Sequence, residues 1–247
     1  MVTTRGASLA LTLDPLALLR LLQLADSGFP TGAFAFSHGL EGMVAAGLVG
    51  GETEIADLLA LAVREGFAGV EGPAMCHAHR AALAEDAAAL LTLDATAAAL
   101  KPVPAFRSGS ARVGRRLLES AAPLLPAGER PAANALTAYH AAVTGGKAEG
   151  HHAVAFGAVM AAAGIAEETA LLTLGAGFAG SLAAAAVRLG VVGQNAAQRT
   201  LAALHPALLA ACGRARALPV DEMGSFLPMA DVAGLRQPTL PGRLFGS

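Results

Sequence analysis

The chain is poor in the residues that define several large classes of protein. Its 247 residues include no tryptophan, one tyrosine and two cysteines, and only 15% carry a charge. Cys76 and Cys212 cannot build a disulfide framework, which predicts a reducing compartment. A net charge of −2 gives no basic surface for nucleic acid. Because 54% of the residues are hydrophobic, the chain either enters a membrane or covers apolar surface with partner proteins.

The longest run without a charged residue, residues 169–187, allows these two alternatives to be weighed. Its length approaches the roughly 20 residues that a membrane-spanning helix needs. It consists mainly of Ala and Gly, however, whereas insertion is driven by Leu, Ile, Phe and Val. The sequence therefore favours close packing of small-residue helices in a water-soluble assembly, and an integral membrane component is the weaker alternative.

Ala and Leu dominate the sequence and no segment has the pattern of a β-strand, so we expect an all-α protein. The pattern predicts a single domain of about ten helices over residues 14–217, with a flexible N-terminal extension over residues 1–13. Residues 218–247 form an irregular, Pro- and Gly-rich C-terminal tail, either disordered or docked on a partner. Glycines predict a break at residues 66–73, and Pro206 predicts separate helices before and after it.

Two histidine-containing groups are candidate metal sites. Cys76, His77 and His79 include a pair at helical i, i+3 spacing, but no second pair at a matching distance completes a zinc site. His151 and His152 point to opposite sides of a helix start. No phosphate-binding loop and no nucleophile elbow occurs. The sequence therefore predicts no catalytic residue, no metal ligand, no cofactor and no enzymatic activity.

Two further polar groups each allow two interpretations. A row of arginines is either a solvated helix face or a patch for an acidic partner; it comprises Arg107, Arg112, Arg115 and Arg116. Gln194 and Arg199 follow a glycine break, where a buried amide that satisfies backbone groups is the simpler reading and a partner contact the other.

The chain is organised around residues 26–41, which read DSGFPTGAFAFSHGLE. Three glycines and a proline prevent a regular helix over the first half of this stretch. The same stretch carries Phe29, Phe34 and Phe36, three of the nine phenylalanines. We expect these rings to pack against the core of the domain or against another protein.

Four blocks in order resemble the urease accessory protein F (UreF) family. PTGAFAFSHGLE resembles its N-terminal signature P-x-G-x-F-x-[YF]-S-x-G-L-E, and GHHAVAFGAVMAAAGI resembles its central helix. RLGVVGQNAAQRTL resembles its R-L-G-x-x-G-Q-x-x-x-Q-x-x-L block. The ending MADVAGLRQPTLPGRLFGS resembles its closing tail, D-I-x-x-M-R-H-E-x-x-x-x-R-L-F. The chain departs from the pattern at Phe36, where a tyrosine is common, and at Gln237 and Pro238, which replace a His-Glu pair.

This resemblance implies an all-α, non-enzymatic, cytoplasmic homodimer. Such proteins bind the accessory protein UreD (also called UreH) and recruit the GTPase UreG, and the assembly inserts nickel into apo-urease in a GTP-dependent step. A direct role in activating or gating UreG is the alternative. The residues that the resemblance and the tail hypothesis assign to partner or dimer contacts are Phe34, Phe36, Ser37, His38, Glu41, Gln194, Arg199, Leu235, Arg236, Arg243, Leu244 and Phe245. We expect the tail to become ordered only on binding, with its apolar residues as anchors.

Overall fold

The structure, a computed structural model, describes residues 14–33, 36–125, 128, 130–239, 244 and 245, and the secondary structure within them consists of helices, without a strand. The predicted extension over residues 1–13 lies outside this part. The helices are α1 (Pro15–Ala25), α2 (Leu40–Ala45), α3 (Glu52–Leu61), α4 (Gly72–Leu83), α5 (Ala87–Ala99), α6 (Pro104–Ala121), α7 (Pro131–Thr144), α8 (His152–Ala162), α9 (Glu167–Arg188), α10 (Gln194–Ala217) and α11 (Pro228–Arg236). A π-helix, Ala62–Glu71, joins α3 to α4. With this joined helix counted once, the described part has ten helices, which confirms the predicted class.

Helix α8 is the centre of the molecule. Every residue from Ala153 to Ala162 is buried, and α4, α6, α7 and α9 pack around it. Gly157 permits the approach to α4, because a Cβ there would lie 2.4 Å from the carbonyl oxygen of Met75. The prediction that the most apolar pair of helices is central is confirmed for α8.

Local sequence signals explain the ends of several helices. Asp14 accepts a hydrogen bond from the backbone N–H of Ala17, and Pro15 is the first helical residue, as the sequence predicts. Glu167 and Glu168 lie in the first turn of α9, where negative charge complements the helix dipole.

The predicted break at residues 66–73 is wrong. The chain stays helical, and its glycines serve close packing instead of a turn: a Cβ on Gly69 would clash with the carbonyl oxygen of Gly224, and one on Gly72 would lie 2.7 Å from the Cβ of Ala215. The π-helix opens the backbone between two ordinary α-helices, and such wide turns occur often at functional sites.

The predicted division at Pro206 is also wrong, because α10 runs unbroken from Gln194 to Ala217. Pro206 and Ala202 are both exposed. The carbonyl of Ala202, which loses its N–H donor to the proline ring, therefore faces solvent and can bind water.

In the described part of the predicted tail, short helices at Val220–Glu222, Pro228–Arg236 and Gln237–Thr239 are joined by irregular segments. The expectation that this segment orders only on partner binding differs from the structure, since α11 packs on α2 of the same chain.

One described helix, Glu167–Arg188, is long and apolar enough to cross a membrane. Half of its most apolar window is buried within the fold.

Candidate partner-binding site

The described residues of the stretch 26–41, which we call the signature loop, begin with a tight turn that is closed by local hydrogen bonds. Asp26 accepts a hydrogen bond from the N–H of Gly28 at 2.7 Å, and the N–H of Phe29 donates to the carbonyl of Asp26 at 3.0 Å. The N–H of Thr31 donates to the carbonyl of Phe29 at 2.7 Å. Phe34 lies outside the described residues, so its predicted role stays a prediction.

Phe36 is buried between the loop and α6. Its ring lies so close to Gly109 that a Cβ there would stand 2.7 Å from a ring carbon. The guanidinium carbon of Arg112 lies 4.9 Å from the centre of the ring, which is cation–π distance. The rings of Phe36 and Phe29 pack within this chain, which favours the core alternative for these two side chains.

His38 adopts a left-handed backbone conformation, with φ of 50°. Its ring centre lies 5.6 Å from that of Phe178 and 6.4 Å from that of Phe106. Burial lowers the pKa of His38, and the positive charge of Lys101 lowers it further, against an opposing effect of Glu71. The imidazole is therefore neutral at pH 7.

His38 lines a cavity of about 280 Å³ below the loop, which the tail covers through residues such as Leu227 and Asp231. Glu71 and Lys101 also line it and form an ion pair at 3.0 Å. Burial acts to raise the pKa of Glu71, but the charge and the hydrogen bond of Lys101 outweigh it and lower the pKa. Nothing in the sequence singled out this pair, because its members lie on separate elements.

Glu41 connects the loop to the tail. Its buried carboxylate accepts a hydrogen bond from the side-chain amide of Gln237 at 2.7 Å and a second from the backbone N–H of Leu244. The Gln237 amide nitrogen also lies 3.4 Å from the hydroxyl of Ser37. Gln237 thus fills, with an uncharged donor, the position where the family pattern has histidine.

Helix α11 lies directly on α2. A Cβ on Gly42 would stand 2.6 Å from the carbonyl oxygen of Ala233, and one on Gly39 would stand 2.6 Å from that of Ala230. The two glycines therefore allow backbone-to-helix contact, which no larger residue would permit at this separation.

The far end of the tail is partly anchored. Phe245 is buried, and the guanidinium carbon of Arg188 lies 4.9 Å from its ring centre. Leu244 is exposed, and Arg243 lies outside the described residues. Leu235 and Arg236 are also exposed. Of the predicted tail contacts, Phe245 therefore faces the interior, whereas Leu235, Arg236 and Leu244 face solvent.

The outward side of the tail is apolar. Met229, Val232 and Leu235 are exposed to 56%, 49% and 57% of their surfaces, and Leu48 beside them is 50% exposed. Together with Arg236 they form what we call the α2/α11 surface. A groove of about 240 Å³ runs along it, between Leu48, Met229, Val232 and Arg236.

Gln194 and Arg199 are not joined to this site. Gln194 is exposed at the start of α10, so the reading of a buried amide is wrong. Arg199 forms an ion pair with Glu52 at 3.1 Å. Among the described residues, no hydrogen bond or ion pair connects either side chain to the tail.

Two of the candidate metal ligands, His77 and His79, make hydrogen bonds to backbone carbonyls of this chain. Nε2 of His79 lies 2.8 Å from the carbonyl of Ile165, and Nε2 of His77 lies 2.9 Å from that of Leu218. Burial raises the pKa of Cys76 to about 12, which leaves it a neutral thiol and a poor ligand. The described part of the chain contains no group of three or more candidate ligands placed to hold a metal ion.

One buried polar cluster was missed in the sequence. Asp94, on α5, accepts hydrogen bonds from the backbone N–H groups of three successive residues at 2.6, 3.1 and 2.6 Å, those of Glu149, Gly150 and His151. The available signal was its spacing, since Asp94 follows Leu90 by four residues and precedes Ala97 by three on the buried face of α5.

Comparison with known proteins assigns the family. The sequence model of UreF matches residues 49–205, more than half of the chain. The chain belongs to the UreF family. The urease accessory protein UreF of Trichodesmium erythraeum (strain IMS101) is 31% identical over 229 residues, which are 93% of this chain and 96% of the relative. UreF of Azorhizobium caulinodans is 33% identical over 97% of this chain and 100% of the relative. UreF of Xanthobacter autotrophicus is 36% identical over 94% and 92%.

The family model of UreF does not cover the two segments that make the Glu41–Gln237 contact. The stretch matched by the family model begins after Glu41 and ends before the tail. The relatives, in contrast, align over 93–97% of this chain. The two segments that form the candidate site therefore lie outside the stretch matched by the family model.

Proposed function

We propose that this UreF-family chain is a non-catalytic scaffold that binds UreD (UreH) and recruits the GTPase UreG, so that nickel is inserted into apo-urease in a GTP-dependent step. In this role the chain works in the cytoplasm as a homodimer. The proposal is supported above all by the tail, which docks on the signature loop through Glu41 and presents an apolar surface outward.

The tail has one side that contacts the rest of the chain and one side that is exposed to a partner. The inward side is held by Gln237, by the backbone of Leu244 and by the ring of Phe245. This fixes α11, so its outward residues lose little further freedom when a partner binds. Preorganisation of this kind favours affinity. An apolar groove beside a helix is suited to an amphipathic partner segment.

The alternative, a direct effect on GTP hydrolysis, requires an arginine that reaches the nucleotide. Arg236 is exposed on the α2/α11 surface, and Arg199 is held by Glu52. Arg236 is thus the better placed of these two described candidates, but recruitment needs no arginine and is the simpler function.

Co-purification tests the proposal. The tagged chain is co-expressed with UreD and UreG, and Leu235→Asp is compared with Leu209→Asp, which changes an equally exposed leucine on α10. We expect wild type and Leu209→Asp to retain both partners and Leu235→Asp to lose them, because a carboxylate is placed in an apolar interface. Failure of the wild-type chain to capture UreD or UreG would contradict the scaffold function.

Urease activation extends the test to the cell. In a strain that lacks this gene, we expect wild type and Leu209→Asp to restore urease activity and Leu235→Asp to fail. Full activation by Leu235→Asp would show that the α2/α11 surface is not needed. Replacement of Arg236 by Lys, followed by single-turnover GTP hydrolysis, separates recruitment from activation, since recruitment alone leaves the hydrolysis rate unchanged.

A further inference from the structure

Helix α6 carries an exposed basic surface that the proposed function does not use. Arg112, Arg115 and Arg116 project from it and are exposed. We call these three residues the α6 arginine face. Arg112 and Arg116 lie one helical turn apart, on the same side.

Arg112 is fixed before any ligand arrives. Its guanidinium stacks on Phe36, and the ring of Phe36 is in turn seated on Gly109. Stacking on an aromatic face leaves the edge of the guanidinium, with its N–H donors, available for other acceptors.

Arg116 is placed by the same loop. One of its terminal nitrogens lies 3.2 Å from the position that a Cβ on Gly32 would occupy, so the guanidinium lies against the loop backbone. Arg115 donates from Nε to the carbonyl of Glu149 at 3.0 Å. All three side chains are therefore oriented by contacts within the chain.

The α6 arginine face differs from most of the other arginines on described helices in its ion pairing. Five arginines elsewhere form ion pairs with carboxylates: Arg64, Arg80, Arg199, Arg214 and Arg216. Within the described residues, none of the three on α6 does, although Glu119 lies one turn from Arg115. In a chain with a net charge of −2, this is a local excess of positive charge.

We propose that the α6 arginine face binds an acidic segment of a protein partner, which places two carboxylates about one helical turn apart. This inference rests on the proposed scaffold function and adds a second surface to it. Two oriented guanidiniums can each bind a carboxylate with paired hydrogen bonds. The surface is charged, unlike the apolar α2/α11 surface, so the two suit partners of different chemistry.

The test uses the tagged chain with UreD, UreG and the urease subunits of its own organism. Arg112→Glu/Arg116→Glu is compared with Arg64→Glu/Lys147→Glu, which makes the same change of charge at other exposed positions. We expect the affinity of the first variant for one partner to fall about tenfold, with its binding to the others unchanged. The control should bind every partner as the wild-type chain does. We also expect the wild-type interaction to weaken between about 0.05 and 0.3 M salt.

Capture of every partner by Arg112→Glu/Arg116→Glu at the wild-type level would overturn the inference and leave the scaffold function standing. If the glutamate variant melts at a lower temperature than wild type, Arg112→Gln/Arg116→Gln replaces it. Loss of binding to anionic phospholipid vesicles with unchanged partner capture would also overturn the inference, because the face would then serve a membrane.

A wild-type chain that captures no partner would contradict the scaffold function. In that case a peptide-binding measurement still tests whether the α6 arginine face binds an acidic segment. The probe is a labelled helical peptide with two glutamates four residues apart, followed by fluorescence anisotropy. We expect it to bind the wild-type chain about tenfold more tightly than the charge-reversed chain at low salt. Equal binding would overturn the proposal.

Discussion

The hydroxyl of Tyr139, the only tyrosine in the chain, donates a hydrogen bond of 2.7 Å to the buried carboxylate of Asp94. The same carboxylate accepts three backbone N–H groups at the turn before α8. Burial raises the pKa of Tyr139, and the negative charge of Asp94 and the hydrogen bond to it raise it further. This cluster joins α5 and α7 to the entry of the central helix.

Asp94→Asn is therefore expected to destabilise the fold by about 3 kcal/mol, because an amide brings its own N–H groups to a site where four donors already converge. Tyr139→Phe removes one of these donors and should cost about 1–2 kcal/mol. Urea unfolding followed by circular dichroism measures both. Asp57→Asn, on the exposed side of α3, is the control and should change stability by less than about 0.5 kcal/mol. A loss below about 1 kcal/mol for Asp94→Asn would contradict a central role for the cluster.

Mild acid should destabilise the protein through the histidines whose pKa values are lowered in the fold. Burial is the main cause that lowers the pKa of His152 to about 4; Glu71 opposes the shift, and Lys101 and His38 contribute to it. In the unfolded chain the histidine has a pKa of about 6.5. Below this pH the unfolded chain binds a proton that the folded chain does not bind, so stability falls as the pH falls. From pH 7 to pH 5 this one group should cost about 2 kcal/mol.

The measurement is the urea midpoint at pH 7 and at pH 5. His152→Gln should show a smaller loss than wild type, and His205→Gln, which changes an exposed side chain, should show the wild-type loss. Some loss remains in His152→Gln, because burial also lowers the pKa values of His38, His79 and His151. Identical pH dependence in His152→Gln and wild type would show that His152 is not the group responsible.

The proposed homodimer gives a third prediction. A Cβ on Gly180, in α9, would meet no atom of the chain within 4 Å, and the same holds for Gly213 in α10. We expect Gly180→Leu to shift a dimer to a monomer by light scattering at micromolar concentration, because the small-residue side of α9 permits close contact between copies. Gly213→Leu is the matched control and should remain a dimer. A monomeric wild-type chain under these conditions would refute the dimer.

Sequence reasoning predicted the class of the fold because helix-forming residues and helix starts are local signals, as at Asp14 and Pro15. It failed at Pro206 and at Gly69 because the outcome there depends on surroundings that are distant in the sequence. The carbonyl freed by Pro206 needs only solvent, and Gly69 is glycine because Gly224 approaches it. A proline or glycine alone does not reveal which of these situations applies.

The candidate site was predictable in its parts and not in its assembly. The signature loop and the tail stood out through Phe36 and Phe245, but the contact between Glu41 and Gln237 spans 196 residues. The residues at positions 237 and 238 predict that the family's contact through a carboxylate is lost, and they give no sign that the amide of Gln237 donates to Glu41 at 2.7 Å.

The π-helix between α3 and α4 has a consequence for how this region tolerates changes in length. A π-helix closes its turns with i→i+5 hydrogen bonds, so it holds more residues per turn than the α-helices on either side. A single deletion within Ala62–Glu71 is therefore expected to tighten a wide turn and to leave the fully buried Ile55 and Leu59 facing the interior. The same deletion within α3, which has no wide turn to tighten, would rotate the residues before it by about 100° around the helix axis. Changes in length are thus better tolerated in the π-helix than in the regular helix before it.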